Sequence, residues 1–260
     1  MNAAQIERAA NTLADARHAV ALTGAGVSTE SGIPDFRSPS GLWSRFDPQS
    51  YATAEAFQRD PIRVWNMFAA VDALLLDATP NAGHFALARL EKAGGLKGII
   101  TQNIDGLHQR AGSREVIEYH GNHHTLVCPR CAHRVARRDI HTPPFPPRCR
   151  RPAGDALCGA ILRPDVVLFG ELIPDQALSR SATLLEETDV LLVIGTSCEV
   201  YPAASIPSVV QGRGGIVIEI NLRPAQDLRP DILIQGPFSR VLPALLRAWT
   251  IARGTPSPSS

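Results

Sequence analysis

The sequence has no long apolar run, no excess of either charge and almost no lysine. No stretch of its 260 residues is long and apolar enough to span a bilayer. The 26 basic and 25 acidic residues leave a net charge of +1, a balance that provides no electrostatic footprint for nucleic acid or an anionic membrane. Lysine occurs only at positions 92 and 97, an observation that indicates no particular function.

The N-terminus also lacks the pattern of a secretory signal. Residues 1–17 have the spacing of an amphipathic helix, without an apolar stretch and a cleavage site. We therefore predict a cytoplasmic protein, in which clustered cysteines bind metal more often than they form disulfides. The chain is 44% apolar, so it can bury a sizeable core.

Short runs rich in Val, Ile and Leu alternate with helical patterns along most of the chain. This alternation predicts an α/β fold, with a parallel sheet covered by helices on both faces. The predicted strands are 18–23, 98–101, 116–120, 190–195, 216–221 and 232–234. The predicted helices are 2–16, 82–92, 175–187, 204–211 and 241–252.

Two segments interrupt the alternation. One has helical stretches at 54–58 and 62–76, and the other contains four cysteines and a proline-rich stretch at 143–147. The predicted organisation is a discontinuous Rossmann-like domain, a helical insertion, a small metal-binding module and a flexible tail. Their bounds are 1–37, 81–125 and 160–253 for the domain, 38–80 for the insertion, 126–159 for the module and 254–260 for the tail.

A glycine loop, Gly24-Ala25-Gly26, follows the first predicted strand. Glycines there let a phosphate approach the backbone and lead into a helix whose first amides favour anions. Thr29 stands where a third glycine is usual, and no ribose-binding acid is evident after a second strand. A tight turn without a ligand is the alternative for these residues alone.

Longer motifs extend this loop. The run 24–37, GAGVSTESGIPDFR, resembles almost position for position the signature of the sirtuin (Sir2) family of NAD-dependent protein deacylases, of bacterial type. Other blocks of that family follow in order: TQNIDGLH (101–108), YHGN (119–122), LRPDVVLFGE (162–171), GTS (195–197), VYPA (200–203) and NL (221–222). The resemblance spans about residues 18–238. It leaves another kind of dinucleotide-binding protein as the residual alternative.

The resemblance implies NAD as co-substrate and a set of residues around it. Phe36 is expected to shield the reaction intermediate, and Leu222 and Phe238 to flank the adenine. The full cofactor-binding set is Gly24, Ala25, Gly26, Ser28, Asp35, Phe36, Arg37, Gln102, Asn103, Ile104, Asp105, His120, Gly195, Thr196, Ser197, Asn221, Leu222 and Phe238.

His120 is expected to be the catalytic base, because a neutral imidazole can take a proton from a ribose hydroxyl. Gly121 beside it is expected to leave space for a ligand. Composition does not distinguish His123 and His124 from His120, whereas the YHGN context does. His84, in the motif PNAGH, also matches a family position, but a role at a helix start is expected for it.

Asn103 and Asp105 complete the expected catalytic set. Asp105 can accept hydrogen bonds from a carboxamide, and Asn103 can order a water beside the ribose. Capping of the following helix is the alternative role for both. The family mechanism implies that the acyl oxygen of a modified lysine attacks the ribose C1′ and releases nicotinamide, and that His120 then assists the 2′-hydroxyl. Water completes the reaction and gives free lysine and O-acyl-ADP-ribose.

Four cysteines, Cys128, Cys131, Cys149 and Cys158, are typical of a structural zinc site without an open position. Eight residues separate the second pair where a CxxC motif has two, a difference that could weaken the site. Unliganded thiols and a nucleic-acid zinc ribbon are the alternatives. The arginines at 130, 134, 137, 138, 148, 150 and 151 suggest the ribbon, although we interpret them as a local basic face for a protein substrate. Cys198 is expected to be a buried thiol.

The resemblance places acyl-lysine peptides or proteins between two loops. The expected substrate-binding residues are Val167, Phe169, Gly170, Glu171 and Val200. Family members that remove succinyl groups carry Tyr and Arg at positions that the resemblance matches to Phe68 and Val71 of this chain. We therefore predict acetyl or longer apolar acyl groups, unless these two residues only pack a helix. Mono-ADP-ribosyl transfer, long-chain deacylation and non-enzymatic NAD sensing are the competing functions.

Overall fold

The computed structural model describes residues 2–139 and 145–254. Its helices are α1 (Ala3–Asp15), α2 (Pro48–Tyr51), α3 (Ala54–Arg59), α4 (Pro61–Asp77), α5 (Ala82–Lys92), α6 (Leu107–Arg110), α7 (Asp175–Glu186), α8 (Ile206–Gly212) and α9 (Phe238–Ala252). Its strands are β1 (Ala19–Thr23), β2 (Gly98–Thr101), β3 (Val116–Glu118), β4 (Gly121–Val127), β5 (Arg134–Ala136), β6 (Pro152–Ala153), β7 (Ala156–Leu157), β8 (Arg163–Val166), β9 (Val190–Ile194), β10 (Ile216–Asn221) and β11 (Ile232–Gln235). The predicted tail from 255 onward and residues 143–144 of the proline-rich stretch lie outside the described residues.

Six parallel strands form the central sheet, in the order β11-β10-β9-β1-β2-β3. Every residue of β1 and β9 is buried, as expected of strands covered on both faces. The order runs one way from β1 to β3 and the other way from β9 to β11. This reversal creates a crevice at the carboxyl ends of β1 and β9, where α/β proteins bind dinucleotides. The predicted Rossmann-like class is confirmed.

Helices cover both faces of the sheet. Leu13 of α1, Leu87 of α5 and Leu245 of α9 belong to one buried cluster. On the other face, Leu185 of α7 and Val210 of α8 belong to a second cluster. The last helix begins at 238, three residues before the predicted start, because Pro237 holds the N-cap backbone at φ −64° and ψ 135°. No helix of residues 2–139 or 145–254 combines the length and apolarity needed to cross a membrane.

The two interrupting segments pack against each other. Helices α2, α3 and α4 lie in the first. In the second, β5 pairs with β4, and β4 also pairs with β8, so the small antiparallel sheet extends to residues on both sides of that segment. Trp65 of α4 is buried and donates its indole N–H to the carbonyl of Leu162, at 2.7 Å. Phe57 and Leu126 belong to the same cluster, so one core joins both segments.

Candidate active site

A cavity of about 910 Å³ opens at the carboxyl ends of the central strands. Its lining draws on loops that follow β1, β2, β8, β9 and β10, and on the helical insertion 38–80. All the residues expected to bind NAD or substrate line it, with the exception of Phe238. Asn103, Asp105 and His120, the expected catalytic residues, also line it. Tertiary structure therefore brings together motifs that lie as far apart in sequence as residues 24 and 222.

The glycine loop packs on the loop that follows β9. Gly26 donates its backbone N–H to the carbonyl of Gly195 at 2.8 Å, and Gly24 donates to that of Ile194 at 3.1 Å. The expected helix after the loop does not form. Two three-residue 3₁₀ turns, Ala25–Val27 and Thr29–Ser31, replace it and end at Gly32, whose φ is 89°. The glycines thus allow two backbones to pack closely. The sequence had instead predicted that they lead into a helix N-terminus.

Replacing Gly26 by alanine should destabilise the fold. A Cβ at this position would lie 2.8 Å from Cα of Gly195 and 2.9 Å from its carbonyl oxygen. Both atoms belong to backbone, so we expect Gly26→Ala to lower the free energy of unfolding by about 1–3 kcal/mol. Chemical denaturation of purified protein measures this change.

Gly212→Ala is the matched control for that substitution, since Gly212 ends α8 and a Cβ there meets no atom within 4 Å. It should leave stability unchanged or slightly raised. Equal stability of both variants would contradict the packing argument.

The turn after β2 is tied to the glycine loop through Ser28. The Ser28 hydroxyl donates to the Asp105 carboxylate at 2.7 Å and accepts from the Asn103 side-chain amide at 3.1 Å. That amide also donates to the carbonyl of Gly24, at 3.2 Å. Asp105 accepts the backbone N–H of Leu107 at 2.9 Å, so it also caps α6, as the alternative interpretation held. Because the amide nitrogen of Asn103 is used, its oxygen is the atom left to order a water.

His120 lies in a turn after β3, because β3 ends at Glu118, two residues earlier than predicted. Its Nδ1 lies 3.1 Å from the carbonyl oxygen of Gln102. A carbonyl only accepts, so Nδ1 carries the proton and Nε2 keeps a lone pair. Burial lowers the pKa of His120 below 6.5, and the bond to Gln102 partly offsets this. The imidazole is therefore neutral at pH 7 and suited to accept a proton.

Gly121 serves a different purpose from the one expected. Its φ is 75°, and a Cβ there would collide with the carbonyl oxygen of Asp165 in β8. The glycine therefore lets β8 approach the turn that carries His120, where Val167 donates its N–H to the His120 carbonyl at 2.9 Å.

Two other histidines are buried behind the glycine loop. His84 accepts the backbone N–H of Asn81 at 3.2 Å and completes a capping box at the start of α5, so its expected structural role is confirmed. His108 lies 3.0 Å from the hydroxyl of Thr23. Desolvation lowers the pKa of His84 to about 4 and that of His108 to about 3. Both rings are therefore neutral at pH 7.

Phe238 lies in the core and not at the cavity. Its side chain is 4% exposed, and its ring packs edge-on against His84, with centroids 5.1 Å apart. It also fills the space beside Gly83, where an added Cβ would meet it at 2.5 Å. The sequence could not distinguish this role, because Phe238 starts α9 and helix starts occur both in cores and at sites. Leu222, the other residue expected at the adenine, does line the cavity.

An apolar wall closes the side of the cavity formed by the helical insertion 38–80 and the residues around it. Phe36 and Trp43 lie 5.1 Å apart between ring centroids, and Trp43 lies 6.2 Å from Phe169. Aliphatic and aromatic side chains continue the wall: Ile33, Leu42, Met67, Phe68, Val71 and Leu75. Sequence analysis missed Trp43, although a tryptophan soon after the signature motif was an available signal.

Charged side chains line the cavity at several places. Arg37, expected at the diphosphate, pairs with Glu199 at 3.0 Å, across the loops that follow β1 and β9. Arg223, which sequence analysis missed, also lines the cavity. The Glu171 carboxylate accepts from Arg163 at 2.9 Å, so it braces its own loop as well as lining the cavity.

The four cysteine sulfurs form one compact cluster. All lie within 4.8 Å of one another, and the pairs Cys128–Cys158 and Cys131–Cys149 are 3.7 Å apart. Tetrahedral zinc with Zn–S bonds of about 2.3 Å separates its sulfurs by about 3.8 Å. The donor set therefore fits one structural zinc ion.

The long second cysteine loop folds as a hairpin. Strands β6 and β7 pair antiparallel between Cys149 and Cys158, with Gly154 at φ 66° in the turn. Cys158 donates its N–H to the carbonyl of Arg151 at 2.9 Å, and Gly159 donates to that of Cys149 at 3.0 Å. The extra residues project outward and leave both sulfurs at the cluster.

Most of the nearby arginines have an ion-pair or hydrogen-bond partner. Arg134 pairs with Asp165 at 2.7 Å, and Arg137 pairs with Asp72. Three guanidinium groups donate to backbone carbonyls around the cysteines: Arg130 to Cys158 at 2.8 Å, Arg148 to Gly159 at 2.9 Å and Arg151 to Cys131 at 3.3 Å. These bonds brace the module, and all three arginines remain exposed, so a local basic face for a protein substrate stays a prediction.

Fold and site together define an α/β protein with a dinucleotide crevice, a neutral histidine beside it and a structural tetrathiolate site. The Sir2 family model matches residues 24–202. The chain belongs to the Sir2 family, so the predicted resemblance is confirmed.

Individual relatives cover nearly the whole chain. The NAD-dependent protein deacylase 2 of Pyrobaculum aerophilum is 47% identical over 91% of this chain and 93% of its own length. A Sir2 homologue variant in complex with ADP-ribose superposes with a TM-score of 0.89 at 40% identity, over 96% of this chain and 99% of the other. A Sir2 variant with a deacetylated p53 peptide and 3′-O-acetyl-ADP-ribose gives 0.84 at 33% identity, over 93% and 97%.

Proposed function

We propose that this chain is an NAD-dependent protein-lysine deacylase that releases nicotinamide and transfers the acyl group to ADP-ribose. The observation that carries the proposal is the convergence of the glycine loop, the turn 102–105 and His120 around one cavity. Membership of the Sir2 family supports the same activity. The proposed substrates are acyl-lysine peptides or proteins, since a related structure holds a peptide product.

Each part of the cavity has a distinct task in this proposal. NAD, when bound, supplies an activated bond between nicotinamide and ribose, and the ADP-ribose that accepts the acyl group. The guanidinium of Arg37 can bind the diphosphate of NAD, either after its ion pair with Glu199 breaks or while that ion pair persists. Asn221 donates to the carbonyl of Thr196 at 2.9 Å, so its side-chain oxygen remains to accept from a ribose hydroxyl.

The turn 102–105 and His120 act on the reacting end. Ser28 holds Asn103 and Asp105 in place through two hydrogen bonds. Fixed orientation of such groups lowers the activation barrier of the reaction. His120 takes the ribose proton at Nε2, because its Nδ1 is occupied by Gln102. The apolar wall with Phe36 and Trp43 excludes water from the same region.

The proposal extends to organisation and location. We assign NAD binding to residues 1–37, 81–125 and 160–253, the apolar wall mainly to the insertion 38–80, and the zinc ion to 126–159. We propose that nucleic acid is not a partner, since the net charge of the chain is only +1. We also propose a cytoplasmic location, where thiols such as the four clustered ones stay reduced.

Acyl selectivity tests the proposed function directly. Phe68 and Val71 line the cavity, are buried at 3% and 8% exposure, and cannot pair with a carboxylate. We expect acetyl- and myristoyl-lysine peptides to be deacylated at least about tenfold faster than a succinyl-lysine peptide, since an unpaired carboxylate costs more than 1.4 kcal/mol to bury. Mass spectrometry of O-acyl-ADP-ribose, with and without NAD, measures the rates.

Two results would contradict parts of this assignment. Faster desuccinylation would overturn the acyl class and leave the deacylase activity in place. ADP-ribosylated protein without O-acyl-ADP-ribose would favour mono-ADP-ribosyl transfer instead.

A further inference from the structure

Two histidines hold two carbonyls of the turn 102–105, those of Gln102 and Ile104. His120 binds the carbonyl of Gln102 through Nδ1 at 3.1 Å. His123, in β4, binds the carbonyl of Ile104 in the same way, at 2.7 Å. The backbone N–H of His123 also donates to Ile104, at 3.2 Å. The Ile104 carbonyl therefore receives two hydrogen bonds from one residue that does not line the cavity.

Ile104 lies between the two residues of the turn that Ser28 fixes. Its neighbours Asn103 and Asp105 are fixed through the Ser28 hydroxyl, whereas the carbonyl of Ile104 points to β4. Rotation of the peptide between Ile104 and Asp105 would move both a cavity-lining side chain and the carboxylate beside it. The bond from the His123 ring is the shortest of those that oppose this rotation.

The carbonyl of Ile104 only accepts, so Nδ1 of His123 carries a proton in the neutral and in the charged ring alike. Burial is the largest influence and lowers the pKa of His123, while Asp72 raises it and Arg137 and His124 lower it. Asp72 of α4 and Arg137 after β5 form an ion pair with each other, and the Arg137 guanidinium lies 5.1 Å from the ring centroid of Trp65. The pair joins the helical insertion to the cysteine-containing segment beside the imidazole.

We propose that His123 is a positioning residue that holds Ile104 in the nicotinamide-binding conformation of the turn. The inference rests on the proposed function, which assigns this turn to the nicotinamide end of NAD. His123 supplies one N–H at a defined place and contacts no reacting atom. Its removal is therefore expected to weaken the binding of NAD and of nicotinamide, and to leave the binding of the acyl-lysine peptide unchanged.

Three substitutions separate this role from general support of the fold. His123→Leu removes the ring donor and keeps bulk in place. His123→Asn restores an N–H close to the position of Nδ1, whereas His123→Gln places its amide one bond farther away. His124→Leu is the matched control, because it removes an exposed imidazole of the same strand whose ring centroid lies 5.9 Å from that of His123.

Calorimetric binding of NAD and of nicotinamide is the primary measurement, and it needs no turnover. We expect His123→Leu and His123→Gln to weaken both by about tenfold, the effect of one lost hydrogen bond. His123→Asn and His124→Leu should stay within about twofold of the wild type. In steady state, KM for NAD and the nicotinamide inhibition constant should rise tenfold while KM for the acetylated peptide stays constant.

Wild-type binding of nicotinamide by His123→Leu, or failure of His123→Asn to restore it, would overturn the inference. Should the leucine variant not fold, the comparison of His123→Asn with His123→Gln decides the question in the same way. A wild type that binds NAD but releases no nicotinamide would overturn the proposed function alone.

Discussion

Substitution of His120 by alanine should lower the rate of O-acyl-ADP-ribose formation by about 10²–10⁴-fold, the usual contribution of a general base. The imidazole lines the cavity, and Gln102 fixes its Nδ1 proton, so that only Nε2 can accept. Because burial holds the pKa of His120 below 6.5, the wild-type rate should decline only at more acidic pH. This acidic limb should be absent from the variant's profile. Mass spectrometry of the product over a pH series measures both effects.

His124→Ala is the control for that experiment. It removes an exposed imidazole four residues away, in β4, and should leave the rate unchanged. NAD binding by the His120 variant should persist, since the glycine loop does not depend on the ring. A His120→Ala protein that forms product at the wild-type rate would remove the basis for the catalytic assignment.

Loss of zinc should have the largest effect on the fold. Apparent binding energies of structural zinc in small peptides are about 10–16 kcal/mol, and this energy is folding energy. We therefore expect Cys128→Ala and Cys149→Ala to abolish stoichiometric zinc and to lower the thermal unfolding temperature strongly. Metal analysis and circular dichroism of the same samples measure both quantities.

Cys198→Ala distinguishes zinc loss from the general effect of removing a thiol. Cys198 is partly buried and lies outside the cluster, and burial and Glu219 raise its thiol pKa to about 11. This variant should keep one zinc ion per chain. A wild type that holds no zinc and resists strong chelators without loss of structure would favour unliganded cysteines.

The zinc cluster also shows where sequence reasoning reached its limit. The pair Cys128 and Cys131 was recognisable from its spacing alone, since a CxxC knuckle is local. Whether Cys149 and Cys158 could meet at one ion depended on how the eight residues between them fold. Their hairpin answers that question, and its formation depends on the pairing of β6 with β7 and on a glycine in the turn.

The sequence by itself determined the α/β class, most strand and helix positions, the family motifs and the four cysteines. These features depend on periodicity and on residues close together in the chain. Only the tertiary structure decided that Phe238 is buried, that Gly26 packs on Gly195, that Arg130 faces a carbonyl and that His123 holds Ile104. Each of these is a contact between elements that are separate in sequence. Local propensity does not encode such contacts, because packing of the whole chain sets which surfaces meet.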